Sequence, residues 1–240
     1  MNRIYFNLVL SLLLACNVIN AQEDSSQQVL FNRIYSAAET EYGIHQELLN
    51  GILFEEKNQD AIGHPYLLNY FSNQGRLIYR GKQYSNLFLR YDIYDQQVLL
   101  IYPYNNIKYK LYLPKEFITG FTIGNKKFIN EAYGTDEDAK FYQLIGEDLP
   151  IKVFRYWKKG LTNRYANNSG TKMFSENKET YILLNNELHA FKGNRSFTRR
   201  FSSNSRTAIR KYFRKNKTRV KHADDDEMEQ LVEFINTMAG

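Results

Sequence analysis

From Arg76 to Phe191 apolar and polar residues alternate with a period of two, and turn-forming residues break the pattern about every ten positions. Leu87, Leu89, Tyr91 and Ile93 alternate with Arg90 and Asp92, and Ile107, Tyr109, Leu111 and Leu113 alternate with Lys108 and Lys110. Ile151, Val153, Arg155 and Trp157 share one face, opposite Lys152, Phe154, Tyr156 and Lys158, while Val98 to Tyr102 is apolar on both faces. Successive side chains of a strand point to opposite sides, so this pattern specifies strands rather than helices. Arg80-Gly81-Lys82, Tyr94-Asp95-Gln96, Asn105-Asn106, Gly124-Asn125, Gly146-Glu147-Asp148 and Asn185-Asn186 supply the tight turns of an antiparallel meander. The spacing predicts roughly nine to eleven strands, too many for a flat open sheet, so the meander is expected to curl into a barrel, half-barrel or sandwich. The 19 tyrosines suit such a fold, because aromatic side chains favour strands and half-exposed faces. The Asn-, Ser-, Gly- and Lys-rich stretch from Lys159 to Lys178 reads as a long surface loop.

Helical spacing flanks this body. Val29, Leu30, Ile34, Ala37 and Ala38 place a short helix between Gln28 and Tyr42, Gly51 to Glu56 reads as a first strand, and Asn58 to Gln74 as a long loop. Beyond Asn194, Phe197 and Phe201 lie four apart, and Ala208, Ile209, Tyr212 and Phe213 form a second one-sided set, with a break at Ser202 to Ser205. Ala223 to Asp226 is a helix start, its acids favoured by the helix dipole. Met228, Leu231, Val232, Ile235 and Met238 then mark an apolar stripe. The expected class is α+β, a curled meander followed by two or three amphipathic helices.

The first 21 residues have the layout of a secretory signal: Arg3, a short apolar run from Ile4 to Ala15, and an exit at Ile19-Asn20-Ala21. That run is too short for a membrane-spanning helix. The expected mature chain is residues 22–240, a single β-rich domain comprising residues 22–75, a meander over 76–191 and helices over 192–240. Leu13-Leu14-Ala15-Cys16 offers lipidation at Cys16 as an alternative start, although Leu14 is bulky for such a signal. Either way the protein is expected to be exported, periplasmic or secreted. Cys16 is the only cysteine, so no disulfide framework, thiol nucleophile or cysteine metal site is expected.

No phosphate-binding glycine loop, His-Glu-x-x-His or Gly-x-Ser-x-Gly motif occurs. His64, in Gly63-His64-Pro65-Tyr66, is the catalytic candidate, since an imidazole on a proline-constrained loop can act in acid–base chemistry. The alternative is a turn whose His and Tyr pack over the end of the sheet. Asp92 and Asp95 flank a turn and are expected to cap it rather than hold a cation. Asp136-Glu137-Asp138 lacks the alternating ligands of a calcium loop. No cofactor or metal is expected.

Charge is segregated along the chain. Residues 22–190 carry 19 basic and 20 acidic side chains, residues 191–223 carry 12 basic and no acidic ones, and residues 224–240 carry 6 acidic and no basic ones. Arg206, Arg210, Lys211, Arg214, Lys215 and Lys217, with Tyr212 and Phe213 among them, are the surface-binding candidates. Such a helix suits an anionic envelope lipid or polysaccharide, or an acidic protein partner. Export disfavours nucleic acid. The basic residues can also be a solvated face, or pair internally with the acidic helix. The expected function is non-enzymatic, an envelope-associated binding or structural role. The alternatives are apolar-ligand carriage inside the curled sheet and hydrolysis built on His64.

The stretches Gly63-His64-Pro65-Tyr66, Ile78-Tyr79-Arg80-Gly81-Lys82-Gln83-Tyr84, Leu89-Arg90-Tyr91-Asp92-Ile93-Tyr94, Tyr181-Ile182-Leu183-Leu184 and Ile209 to Lys217 resemble a group of uncharacterised exported bacterial proteins with a β-rich body and a basic helical C-terminus. The resemblance implies export and the extent of the domain. It brings no assigned activity and no catalytic residues.

Overall fold

The computed structural model describes residues 46–68, 71, 73–104, 107–133, 138–166 and 169–239. The chain separates into two units, Met1–Asn50 and Gly51–Gly240. The described part of the first is a 3-10 helix, Gln46–Asn50. The signal segment, Cys16 and the helix expected over Gln28 to Tyr42 lie outside the described residues.

The second unit contains eleven strands: β1 (Ile52–Leu53), β2 (Asn73–Tyr79), β3 (Lys82–Asp92), β4 (Gln97–Tyr104), β5 (Ile107–Leu113), β6 (Ile118–Ile123), β7 (Lys126–Glu131), β8 (Lys140–Ile145), β9 (Lys152–Ala166), β10 (Ser169–Leu184) and β11 (Glu187–Phe191). Helices α1 (Asn194–Thr198), α2 (Ser203–Asn216) and α3 (Asp225–Ala239) follow. The strands form one antiparallel sheet in the order β1-β5-β4-β3-β2-β6-β7-β8-β9-β10-β11, so the α+β class holds and the sheet is not closed. The turns carry the expected chemistry. Arg80 and Gly81 have φ of +51° and +75°, and Asn185 and Asn186 have +53° and +66°, the left-handed pairs that two-residue hairpins need.

One expectation is corrected. Lys159 to Lys178 is not a loop but the outer part of a long hairpin, with β9 paired to β10 from Lys152↔Leu183 out to Ala166↔Ser169. Its described apolar side chains, Leu161, Met173 and Phe174, are not buried, so the backbone ladder is regular while the hydrophobic alternation is absent.

Connectivity forces the sheet to coil. Leu113 at the end of β5 aligns through Val98 with Tyr91, at one end of β3; Ile118 at the start of β6 aligns through Tyr79 with Lys82, at the other end. Laid flat, these two residues would stand about 19 Å apart across the strands and roughly 30 Å along them. The chain between them spans at most about 19 Å, and it includes the 3-10 turn Lys115–Phe117. The register shift between Gly75 and Leu77, with Asn86 at φ +58°, supplies the bulge at which β3 bends. As a result Tyr91 on β3 meets Phe121, Phe128 and Phe141 on β6, β7 and β8, with ring centroids 5.2–5.6 Å apart. The Lys159 amide on β9 donates to the Ile93 carbonyl at 2.9 Å.

The helices cover the far end of the sheet. Ile145, Val153, Ile182 and Phe191 pack with Phe197 of α1, Ile209 and Phe213 of α2, and Met228, Leu231, Val232 and Ile235 of α3. Ser202 is the N-cap of α2, accepting from the Ser205 amide. The Asn236 side chain both accepts from the Ile151 amide (2.9 Å) and donates to its carbonyl (3.0 Å), which ties α3 to the chain entering β9.

Candidate functional site

Three polar regions carry the titratable residues of interest. The first is built on Gly63 to Leu67, which stitches β10 to β3: Ile62 pairs with Met173, and Leu67 donates to the Tyr91 carbonyl while Ile93 donates to that of Pro65. His64 stacks on Tyr66 at 5.9 Å, and Tyr66 packs on Leu99 and Ile101. The Lys159 ammonium donates to the carbonyls of His64 (3.0 Å) and Tyr66 (2.6 Å) and lies 3.7 Å from Glu176. Burial and the Lys159 charge lower the His64 imidazole below its ordinary value, which keeps it neutral near pH 7. His64 also lines an open cleft of about 310 Å³ together with Glu56, Asn58, Gln59 and Phe174.

Asp92 lies beneath this loop, 2% exposed. One carboxylate oxygen accepts from the amides of Tyr94 and Asp95 at 2.9 Å each, and the other accepts from the Tyr112 hydroxyl at 2.9 Å. This is the turn-capping role expected for it. Burial raises the Asp92 carboxyl against those three hydrogen bonds. The space beside it is about 20 Å³, room for one water. Among the described residues no group of three or more His, Cys, Asp or Glu side chains is arranged to hold a metal. Asp136 and Glu137 lie outside them.

The second region is the basic helix. Ile209 and Phe213 turn inward, and Arg210, Lys211, Arg214 and Lys215 are exposed on the opposite side, continued by exposed Lys217, Arg219, Lys221 and His222. Among the described residues none of these basic side chains forms an ion pair. Arg206 differs from the other candidates. It is half-buried, and its guanidinium donates to the carbonyls of Thr198 (3.3 Å) and Phe201 (3.1 Å), closing the end of α1. Internal pairing with the acidic helix is not what joins α2 and α3. Between them Tyr212 stacks on Phe234 at 4.6 Å.

The third region was not singled out by sequence. Asp225 at the start of α3 accepts from Lys126, from Arg155 and from Gln143 (2.7 Å). Arg155, 2% exposed, also donates to the carbonyls of Ala223 (2.8 Å) and Asp224 (2.9 Å). Burial alone would raise the Asp225 carboxyl, but Lys126, Arg155 and Gln143 outweigh it and hold it below the ordinary value. Gln143 in turn accepts from the Trp157 indole at 2.7 Å. Asp224 and Glu227 form a capping box, each accepting from the other's amide. Beside this network is an open cleft of about 390 Å³, lined by Lys126, Arg155, Trp157, Lys178, His222 and Asp226 among others. The Lys178 ammonium lies 5.2 Å from the centre of the Trp157 ring. One signal could have found this site: Arg155 falls on the apolar face of its strand, where a cation requires a buried acid.

Comparison of the chain with models of protein families, with curated proteins and with solved structures finds no match. No helix among the described residues is long and apolar enough to cross a membrane.

Proposed function

We propose that this protein is an exported, non-enzymatic component of the cell envelope that binds an anionic surface or polymer along the outer face of α2 and the segment from Lys217 to His222. The observation that carries the reading is the exposed row Arg210, Lys211, Arg214 and Lys215 with no acidic partner among the described residues. Arg210 and Arg214, and Lys211 and Lys215, stand four apart, where like charges on a helix repel by a few tenths of a kcal/mol per pair. An anionic partner removes that repulsion.

The binding is electrostatic rather than insertive. An interfacial helix needs apolar side chains to sink into the lipid, whereas Ile209 and Phe213 are committed to the core and the exposed large apolar residues lie outside the helices. The coiled sheet, read as a half-barrel, is the rigid scaffold. Its packing of Tyr91, Phe121, Phe128 and Phe141 ring against ring supports a scaffold more than an apolar-ligand carrier. Export rests on the signal-like first 21 residues.

The test is retention of the full mature chain on vesicles of anionic or zwitterionic lipid, and on carboxylated or neutral polysaccharide, across a salt series. Binding restricted to the anionic supports, lost as salt rises and weakened at least about tenfold by R210Q/K211Q/R214Q/K215Q, is the expected result. Retention indifferent to both salt and this variant sinks the reading. The intact mass of the protein from its own envelope separates a start at Gln22 from a lipidated Cys16.

A further inference from the structure

We propose that this protein self-associates through α2 and α3, the basic row of one copy facing the acidic row of a second copy across a two-fold axis. The proposal goes beyond the envelope-binding reading and draws on the same basic row.

Two rows of opposite charge lie on neighbouring helices. On α2, Arg210, Lys211, Arg214 and Lys215 are exposed; on α3, Asp226, Glu229 and Glu233 are exposed, while Met228, Leu231, Val232 and Ile235 turn into the core. Among the described residues neither row forms an ion pair. The stack of Tyr212 on Phe234 is the seam between them, with Lys211 next to Tyr212 and Glu233 next to Phe234 in the chain. Burial, and after it the Glu227 and Glu233 charges, raise the Tyr212 hydroxyl, so the acidic row lies close to this seam. Asp226 is in the first turn of α3, where the helix dipole accounts for an acid. Glu229 and Glu233 lie beyond that turn and have no such reason to be there.

The rows match in pitch. Arg210 and Arg214, Lys211 and Lys215, and Glu229 and Glu233 are pairs four residues apart, about 6 Å along their helices. Like charges at that spacing repel, so each row is relieved by a facing row of opposite sign. Within one copy the helices are neighbours and their outer faces do not meet. A two-fold axis running between them in the plane of contact sets α2 of each copy over α3 of the other, and both rows are satisfied together. A polyanion lying on α2 relieves the basic row alone and leaves Glu229 and Glu233 beside it. Size sets the strength. Helices of 14 and 15 residues, about 21 Å and 22 Å long and 10 Å wide, bury roughly 850 Å² in total between two copies, below the range of stable complexes. The contact is charged rather than apolar, because Ile209, Phe213 and the α3 stripe are committed to the core. The dimer is therefore weak, reversible and sensitive to salt.

The experiment follows the mass of the full mature chain by sedimentation equilibrium, up to about 1 mM protein, at low and at moderate salt. A concentration-dependent dimer at low salt, weakened at least about tenfold at moderate salt, is expected. R210E/K211E/R214E/K215E and E229K/E233K should each be monomeric with wild-type thermal midpoints. An equimolar mixture of the two should dimerise again, since opposite signs then face each other across the axis. A wild type that stays monomeric at low salt overturns the proposal, as does a dimer indifferent to salt or to both variants. A mixture that stays monomeric overturns the facing of α2 on α3, and growth beyond a dimer overturns the two-fold. Where a reversal lowers the thermal midpoint, R210Q/K211Q/R214Q/K215Q and E229Q/E233Q take its place, and a dimer as strong as wild type in both overturns the proposal equally. E229K/E233K keeps the basic row, so its retention on the anionic supports tests the envelope-binding reading separately. If it is retained while wild type never dimerises, only the self-association falls; if wild type dimerises and neither protein is retained, only the envelope binding falls.

Discussion

Arg155 shows what a single misplaced charge demands of a fold. It occupies a strand position whose neighbours on the same face, Val153 and Ile182, are fully buried. Removing a guanidinium from water costs several kcal/mol unless partners replace the solvent. Here Asp225 and two carbonyls from the start of α3 do so. Asp225→Asn therefore leaves a buried cation uncompensated and should cost about 3–5 kcal/mol, read as a lower urea midpoint. The same carboxylate sets a pH dependence. Its folded pKa is depressed, so its contribution is present above the unfolded value near 4 and is lost as pH falls through the folded value. Asp92 has the opposite sign. Burial raises its folded pKa, so it favours the folded state most fully below about pH 4, an advantage lost as pH rises through the folded value. Asp92→Asn keeps an oxygen for the Tyr94 and Asp95 amides and cannot ionise. Its urea midpoint should gain relative to wild type as pH rises from 4 to 7; a constant gap would show that Asp92 does not titrate differently on folding. The capping role of Asp92 was legible because a turn lay beside it in sequence. The Asp225 site was half legible: Arg155 announced a need for an acid, but its partner is 70 residues away.

At the scale of elements, alternation reveals a strand only where one face is buried. That condition holds over most of Arg76 to Lys158, with Ile107 and Tyr109 at the start of β5 as exposed exceptions, and the hairpin turns there follow from their residues. It fails over the outer β9–β10 hairpin, where no described side chain from Lys159 to Lys178 is fully buried and Asn, Ser, Gly and Lys are tolerated, so a regular ladder looked like a loop. Two glycines separate the cases. A Cβ on Gly75, on β2 opposite the β3 bulge, would stand 2.0 Å from the Thr122 carbonyl oxygen, whereas one on Gly160 meets nothing closer than the Ser175 hydroxyl at 4.0 Å. Gly75→Ala should cost at least about 1–3 kcal/mol, while Gly160→Ala should be neutral or stabilising by up to about 1 kcal/mol. Comparable urea midpoints for the two variants would contradict the bulge geometry. Helix α2 makes the complementary case, an element whose charge is not optimised for stability. R210Q/K211Q removes both like-charge pairs and touches nothing buried, so the midpoint should hold or rise by a few tenths of a kcal/mol. A fall of more than about 1 kcal/mol would mean that these residues support the fold.

The whole molecule combines a coiled sheet of nearly balanced charge with a strongly basic segment on one helix and its linker. The single antiparallel sheet of many strands was legible from alternation and turns. Its coiling was not, because the short Leu113-to-Ile118 connection constrains the sheet only once the register is known. The segregation of charge was legible in full, since the basic stretch contains no acid that folding could bring alongside from its own neighbours. What sequence could not reveal is that the acidic helix spends Asp225 on the sheet and leaves α2 uncompensated. A ligand that binds only the folded protein stabilises it by RT ln(1 + [L]/Kd), about 2.7 kcal/mol at a hundredfold excess over Kd. For a domain of this size that is a rise in thermal midpoint of roughly 5–11 °C. A carboxylated polysaccharide at low salt should produce such a rise, a neutral glucan should not, and moderate salt should shrink it, because exposed charges are screened beyond about 8 Å at physiological ionic strength. The quadruple glutamine variant of α2 should melt at the wild-type temperature without ligand and respond little to the polyanion. If it responds as fully as wild type, the basic helix is not the contact surface, and the anion binds elsewhere on the sheet.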